Sequence, residues 1–278
     1  MANITDIKAR IKSINDTRQI TKAMELISVS KVKRAQERYD QNLLYFKSLI
    51  KSISNLLANA DCVECGEDYF ELRPEGKTAY IVISSDKGLA GGYNHNVLNM
   101  AYDIISKNPD RKIITFGKTA AEFFKRNKME GEAEYLSIGN PTLKGARSIA
   151  YDIMDDYLKE EIREAVIIFT DMDEKSNQEP MCFEVLPLDR TQFSQAEKFS
   201  STLMYDPSPD VVLEALISQY VVGMVFSILL HASVSEHKAR MTAMQSATRN
   251  ADEMLDKLHI EYNRARQERI TNELQEIV

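Results

Sequence analysis

The chain has 278 residues, 44% of them hydrophobic and 28% charged, with a formal net charge of -7. That composition supports a packed core and excludes disorder, and the length allows one large domain with an extension. Three cysteines, Cys62, Cys65 and Cys182, exclude a disulfide framework.

The charge is unevenly spread. Residues 1–57 carry 11 Lys/Arg against 5 Asp/Glu, a net of +6, and residues 235–278 carry 7 against 8. The remaining 58–234 holds 17 against 29, a net of -12. A basic first segment joined to an acidic middle implies that different parts face different partners. MANITDIKAR has no apolar signal region, and its acid argues against a transit peptide.

The first predicted element is one long helix. Ile4, Ile7, Ile11 and Ile14 are spaced 3, 4, 3, and Ile20, Met24 and Ile27 follow at 4, 3. Val32, Ala35, Tyr39, Leu43, Phe46, Ile50, Ile53 and Leu57 continue the seam. Neither Pro nor Gly interrupts residues 2–65. The pattern predicts a coiled coil with stutters near Arg18 and Lys31. Some 55 residues at about 1.5 Å each reach about 80 Å.

After Pro74 the pattern changes. Residues 78–85, 111–117, 164–171 and 181–188 read as strands, and 94–107, 118–128 and 141–159 as helices. Strands alternating with helices predict a mostly parallel sheet. From Pro209 a second helix runs to the end, apolar nearly all round over 211–230 and then narrowing to a seam. Ala251, Leu255, Leu258, Tyr262 and Ala265 mark that seam, followed by Ile270, Leu274 and Ile277. Within 211–234 the longest run free of charged and amide side chains is Tyr220 to Leu230, 11 residues, where a membrane span needs about 20. A buried helix is predicted there.

The expected fold is α/β. Terminal helices, 1–60 and 209–278, form a long antiparallel two-helix coiled coil, and a Rossmann-like α/β domain, 75–205, is inserted between them. The second helix is longer by roughly 15 residues, so about 20 Å should overhang at the tip or extend into the base.

Candidate chemistry is sparse. SSDKGLAGGYN (84–94) follows a strand as a phosphate loop would, but it is neither GxGxxG nor GxxxxGK[ST]. A tight turn with close helix packing is the better reading. His95, His231, His237 and His259 have no paired metal spacing. Asp171 and Asp173 lack a third carboxylate, Ser84 and Ser85 lie in no GxSxG elbow, and acids flank the Cys62–Cys65 pair. No catalytic, cofactor or metal site is expected. The basic first helix has few aromatics interleaved with its charges, so nucleic-acid binding is unsupported. Met241, Met244 and Met254 read as seam packing.

Two long stretches carry a resemblance. RIKSINDTRQITKAMELISVSKVKRA (10–35) resembles the opening of ATP synthase gamma subunits, and SEHKARMTAMQSATRNADEMLDKLHIEYNRARQERITNELQEIV (235–278) resembles their closing helix. SSDKGLAGGYN and Tyr205–Asp206–Pro207 resemble further segments of that family. The resemblance implies a central-stalk rotor of an F-type ATP synthase, one copy per complex, with no catalytic site of its own. It implies partners in the alpha and beta subunits, the epsilon subunit and the membrane c-ring. It implies a peripheral place on the cytoplasmic face of a bacterial membrane, with no direct membrane span. Met24 matches a coupling position, and Arg240, Gln267, Thr271 and Glu273 match a cluster across from it. Arg266 and Gln267 match contacts with beta-subunit loops, and Tyr205 and Asp206 match the foot near the rotor ring. On this basis Met24→Lys is expected to set a cation opposite Arg240. Many relatives continue past the position of Val278 with a short small-residue tail, so contacts from such a tail are expected to be reduced. The alternatives are a nucleotide-binding enzyme using the central domain and a membrane-associated structural coiled coil.

Overall fold

A computed structural model describes residues 4–59, 67–129, 131, 133–135, 140–172, 178–194 and 204–277. The chain begins with helix α1 (Ile4–Asn59, 56 residues) and ends with α5 (Pro209–Ile277, 69 residues). At about 1.5 Å per residue they run roughly 84 and 104 Å. Between them lie β1 (Lys77–Ile83), α2 (Tyr93–Ile105), β2 (Arg111–Phe116), α3 (Lys118–Arg126), β3 (Ala133–Tyr135), α4 (Leu143–Leu158), β4 (Ile162–Met172) and β5 (Gln178–Leu186). Two short 3-10 turns, Glu67–Tyr69 and Arg190–Phe193, join the elements. The Cys62–Cys65 pair and Asp173 lie outside the described residues.

The sheet order is β3-β2-β1-β4-β5, with every pair parallel except β4–β5. Five residues separate β4 from β5, too few for a crossover, so the chain turns back as a hairpin. β3 escapes sequence prediction because three residues, Ala-Glu-Tyr, make no apolar run. β1 is buried on both faces, as its β-branched run requires. Ala79, Ile81 and Ile83 join the core under α4 and α5, and Tyr80 and Val82 join the core under α2 and α3.

The first third of α5 belongs to that core. Leu213, Ile217, Val221, Val225 and Leu229 pack with Ile149 and Ile153 of α4 and Ile53 and Leu56 of α1. By length and composition α5 could cross a membrane, but its apolar stretch is buried against the sheet, α4 and α1.

Beyond the domain the two long helices pair antiparallel. Tyr39 meets His231, Asn42 donates to Ser227 (2.6 Å), Thr21 lies against Thr248 (2.9 Å), Arg18 pairs with Asp252, and Lys8 sits over the Tyr262 ring (5.6 Å). As the number on α1 falls, the number on α5 rises, so Ile4 lies level with residues near 266.

The expected stutters are absent. One chain of α1 residues that are buried, half-buried or bonded to α5 runs through 4, 7, 11, 14, 18, 21, 25, 28, 32, 35, 39, 42, 46, 49, 53 and 56 in an unbroken 3,4 alternation, with Met24, Leu43, Ile50 and Ser54 among further buried or half-buried residues beside it. Where the apolar residues slip off the heptad, polar ones keep it. Thr21 and Ser28 are buried, and Ile20 and Ile27 are 61% and 56% exposed. Spacing of apolar residues therefore misplaced the seam over 18–28. Met254, Ile270 and Leu274 likewise face solvent rather than a partner. The last two lie beyond the level of Ile4, where α5 runs on for about 16 Å without α1 beside it.

Gly117 closes β2 with φ +97, and a Cβ there would lie 2.1 Å from the Ser84 carbonyl oxygen. Gly117→Ala should lower the free energy of unfolding by at least about 2 kcal/mol, through left-handed strain and this clash. Denaturant titration of both proteins checks it; an unchanged midpoint would contradict the packing described.

Candidate functional site at the shaft–domain joint and the shaft tip

Residues 84–94 leave β1, pass over α5 and enter α2. The loop is held by its own polar groups. Ser84 Oγ accepts from the Ala120 amide (2.8 Å), Asp86 Oδ1 from the Lys118 amide (3.1 Å), and the Ser85 carbonyl from Thr119 Oγ1 (2.6 Å). The loop thus caps the first turn of α3. Asn94 Oδ1 accepts from the Ser85 amide (2.9 Å). Gly91 takes φ +59 where the loop closes on α5, and a Cβ there would lie 3.9 Å from Ala243 Cβ. Ser84 and Ser85 are buried, so neither presents a nucleophile. The loop is a turn packed between α3 and α5.

The loop is clamped to α5 by Arg240. Its Nη2 donates to the Lys87 carbonyl (3.0 Å) and the Gly88 carbonyl (3.3 Å), and it pairs with Glu236 Oε1 at 2.8 Å. Arg240 Nη1 lies 3.4 Å from His237 Nδ1. Beside this clamp Tyr93, fully buried, donates its hydroxyl to the Ala232 carbonyl (3.1 Å). Burial, with Glu236 nearby, pushes the Tyr93 phenol well above its usual value, so it stays a donor. Burial also raises the Glu236 carboxyl above its ordinary range, against the pull of Arg240, and its Oε2 makes no hydrogen bond.

The expected coupling residues fall at three separate levels. Met24, half-buried, stands level with residues near 245, about 8 Å along from Arg240, whose guanidinium turns to the loop. The expectation that Met24→Lys faces Arg240 is therefore corrected: the register carries no such opposition. Gln267 lies 27 residues beyond Arg240, about 40 Å further along α5. Arg266, Gln267 and Thr271 are exposed on the tip, where Thr271 donates only to the Gln267 carbonyl (2.9 Å). Glu273 lies on the same overhang. Tyr205 packs half-buried on the domain core, and Asp206 is exposed ahead of a cis peptide bond to Pro207. Sequence reasoning missed Glu236, Tyr93 and the Lys87 and Gly88 carbonyls. A Glu and an Arg four apart at the end of an all-round apolar helix were the available signal.

Among the described residues, no group of three His, Cys, Asp or Glu side chains is placed to hold a metal. His231 is satisfied by Asp171 (3.3 Å), and Cys182 is a free, exposed thiol on β5.

These features define a class: a stiff antiparallel two-helix shaft carrying a mixed α/β domain at one end. A family model described as ATP synthase matches residues 3–278. An ATP synthase gamma chain from Ruminiclostridium cellulolyticum is 41% identical, with 99% of this chain and 97% of the relative covered. One from Acetivibrio thermocellus is 37% identical, covering 100% and 98%. The rotor of Euglena gracilis mitochondrial ATP synthase shares the fold at TM-score 0.63 and 14% identity, covering 96% of this chain and 98% of that one. The chain belongs to the ATP synthase family, among its gamma chains, and its role is that of a central-stalk subunit of the F-type ATP synthase. It is one subunit of a membrane-bound enzyme complex.

Because the folded-state carboxyl of Glu236 is raised, the stability it contributes is fully present below its unfolded value and is lost as pH rises through the raised one. Wild type should lose stability relative to Glu236→Gln over that rise, read from unfolding midpoints at a series of pH values. Parallel curves would contradict the burial of an under-bonded carboxylate. Arg240→Ala, which strands that charge, should cost about 3–5 kcal/mol.

Proposed function

We propose that the chain turns as the rotor of the F-type ATP synthase, linking ion flow through a membrane ring to ATP synthesis or hydrolysis in a surrounding alpha/beta ring. The observation that carries this reading is the shaft itself, two helices of 56 and 69 residues in antiparallel register with one overhanging tip. No compact domain needs helices that long. The chain acts through three units, residues 1–60, 75–205 and 209–278. The middle one, with strand order 3-2-1-4-5, is Rossmann-like but carries no catalytic site.

The shaft is asymmetric as well as long. Ile20, Leu26 and Ile27 expose apolar surface on α1, and Arg266 and Gln267 expose polar groups on the α5 tip. Turning such a shaft presents different faces to each beta subunit in succession. A face that binds one conformation better than another shifts that subunit's equilibrium by the difference in affinity. Met24, Arg240, Arg266, Gln267, Thr271 and Glu273 are assigned to coupling and beta-subunit contact. Of these, Arg240 acts through the clamp on the domain rather than through Met24. Tyr205 and Asp206 are assigned to the seat on the c-ring, beside the epsilon subunit. One copy serves each complex, peripheral on the cytoplasmic face of a bacterial membrane.

Reconstitution tests the reading. The purified chain should hydrolyse no ATP, and adding it to alpha and beta subunits with the membrane sector should restore ATP-driven ion pumping. Pumping without this chain would refute the proposal. Replacing Arg266 and Gln267 together by Ala should lower pumping several-fold and leave the thermal unfolding midpoint unchanged, since both side chains are exposed. Unaltered pumping would remove these residues from the contact.

A further inference from the structure

Where α1 leaves the domain, a cleft of about 240 Å³ is lined by Lys31, Arg34, Ala35 and Arg38 of α1, Leu230, Ser233 and His237 of α5, and Asn140 ahead of α4. Lys31, Arg34 and Arg38 stand at i, i+3 and i+7, so all three cations share one face of the helix. Like charges at that spacing repel one another. No Asp or Glu among the described residues lines the cleft to offset them.

Arg38 is committed: Nη1 donates to Asn140 Oδ1 (2.7 Å) and Nη2 to the Pro141 carbonyl (2.5 Å). Lys31 and Arg34 make no ion pair among the described residues. Glu236, which feels Lys31 only weakly, gives Oε1 to Arg240. Ser233 and His237 on the wall are 1% and 2% exposed, so the cations border a real concavity rather than open surface.

We propose that this cleft is a binding site for a phosphate-sized polyvalent oxyanion. A guanidinium fork and an ammonium point charge suit a tetrahedral oxyanion, and the Ser233 hydroxyl adds a neutral donor. The volume lies below the roughly 300 Å³ at which pockets begin to hold drug-sized molecules, so a whole nucleotide is too large. A bound anion relieves the repulsion along α1. It also ties α1 to α5 and to the start of α4, where shaft and domain meet. The inference is independent of the coupling residues assigned above.

The test is calorimetric titration of inorganic phosphate into the full-length chain, with ionic strength held constant by chloride. Saturable binding at one site per chain is expected, with sulfate competing. Lys31→Gln combined with Arg34→Gln should weaken it by roughly ten-fold or more, the equivalent of losing charge-assisted hydrogen bonds. Arg34→Lys, which keeps the charge and loses the fork, should weaken it less, and Lys257→Gln on the distant shaft should leave it unchanged. Circular dichroism verifies that each variant is folded. Absence of saturable binding, or equal affinity in the double variant, would overturn the proposal. So would an acidic peptide that binds here without being displaced by phosphate, since the cleft would then be a protein contact.

Discussion

Everything in this molecule is referred to the seam between α1 and α5. The two helices enclose the whole domain between them in sequence, so their antiparallel register decides which parts of the chain share a level. A heptad seam of apolar residues alone would tolerate slippage by a heptad. Here the middle of the seam is polar: Thr21 against Thr248, Ser28 on its own helix, and Arg18 with Asp252 at its edge. Thr21, Ser28 and Thr248 also bond carbonyls of their own helices, so the register-specific polar contacts are the Thr248–Thr21 hydrogen bond and the Arg18–Asp252 pair. The apolar residues released from the seam, Ile20 and Ile27, become outward surface.

The second constraint is the joint. A shaft transmits torque only if it does not slip against the body that drives it. The body is held in two ways of different character. Broad apolar burial of Leu213 to Leu229 against α4 and the sheet supplies most of the adhesion. Directional polar contacts, Arg240 to the Lys87 and Gly88 carbonyls and Tyr93 to the Ala232 carbonyl, fix the angle. Apolar packing resists separation but is indifferent to small rotations, whereas hydrogen bonds weaken steeply as they lose alignment. The joint needs both.

The glycine-rich loop illustrates how one motif serves different ends. In a nucleotide-binding domain the amides at the next helix start stay free for phosphate. Here Ser84, Ser85 and Asp86 occupy the start of α3, and the loop's carbonyls face Arg240. The loop's polar groups join neighbouring elements of the fold. A sheet of this order thus becomes a mechanical body.

Local pattern by itself determined the two long helices, the strands β1, β2 and β4, the buried start of α5 and the overhanging tip. In each case a side-chain period or the absence of Gly and Pro fixes the backbone without reference to distant residues. The resemblance of residues 10–35 and 235–278 to gamma subunits carried the functional reading, because long motifs in order are hard to match by chance. Only the tertiary structure decided the seam through Thr21 and Ser28, the place of Met24 about 8 Å from the level of Arg240, the clamp with Glu236, and the short edge strand β3. For Thr21 and Arg240 the reason is the same: a polar side chain is buried or exposed according to whether a partner some 150 to 230 residues away meets its hydrogen bonds, and no local periodicity encodes that.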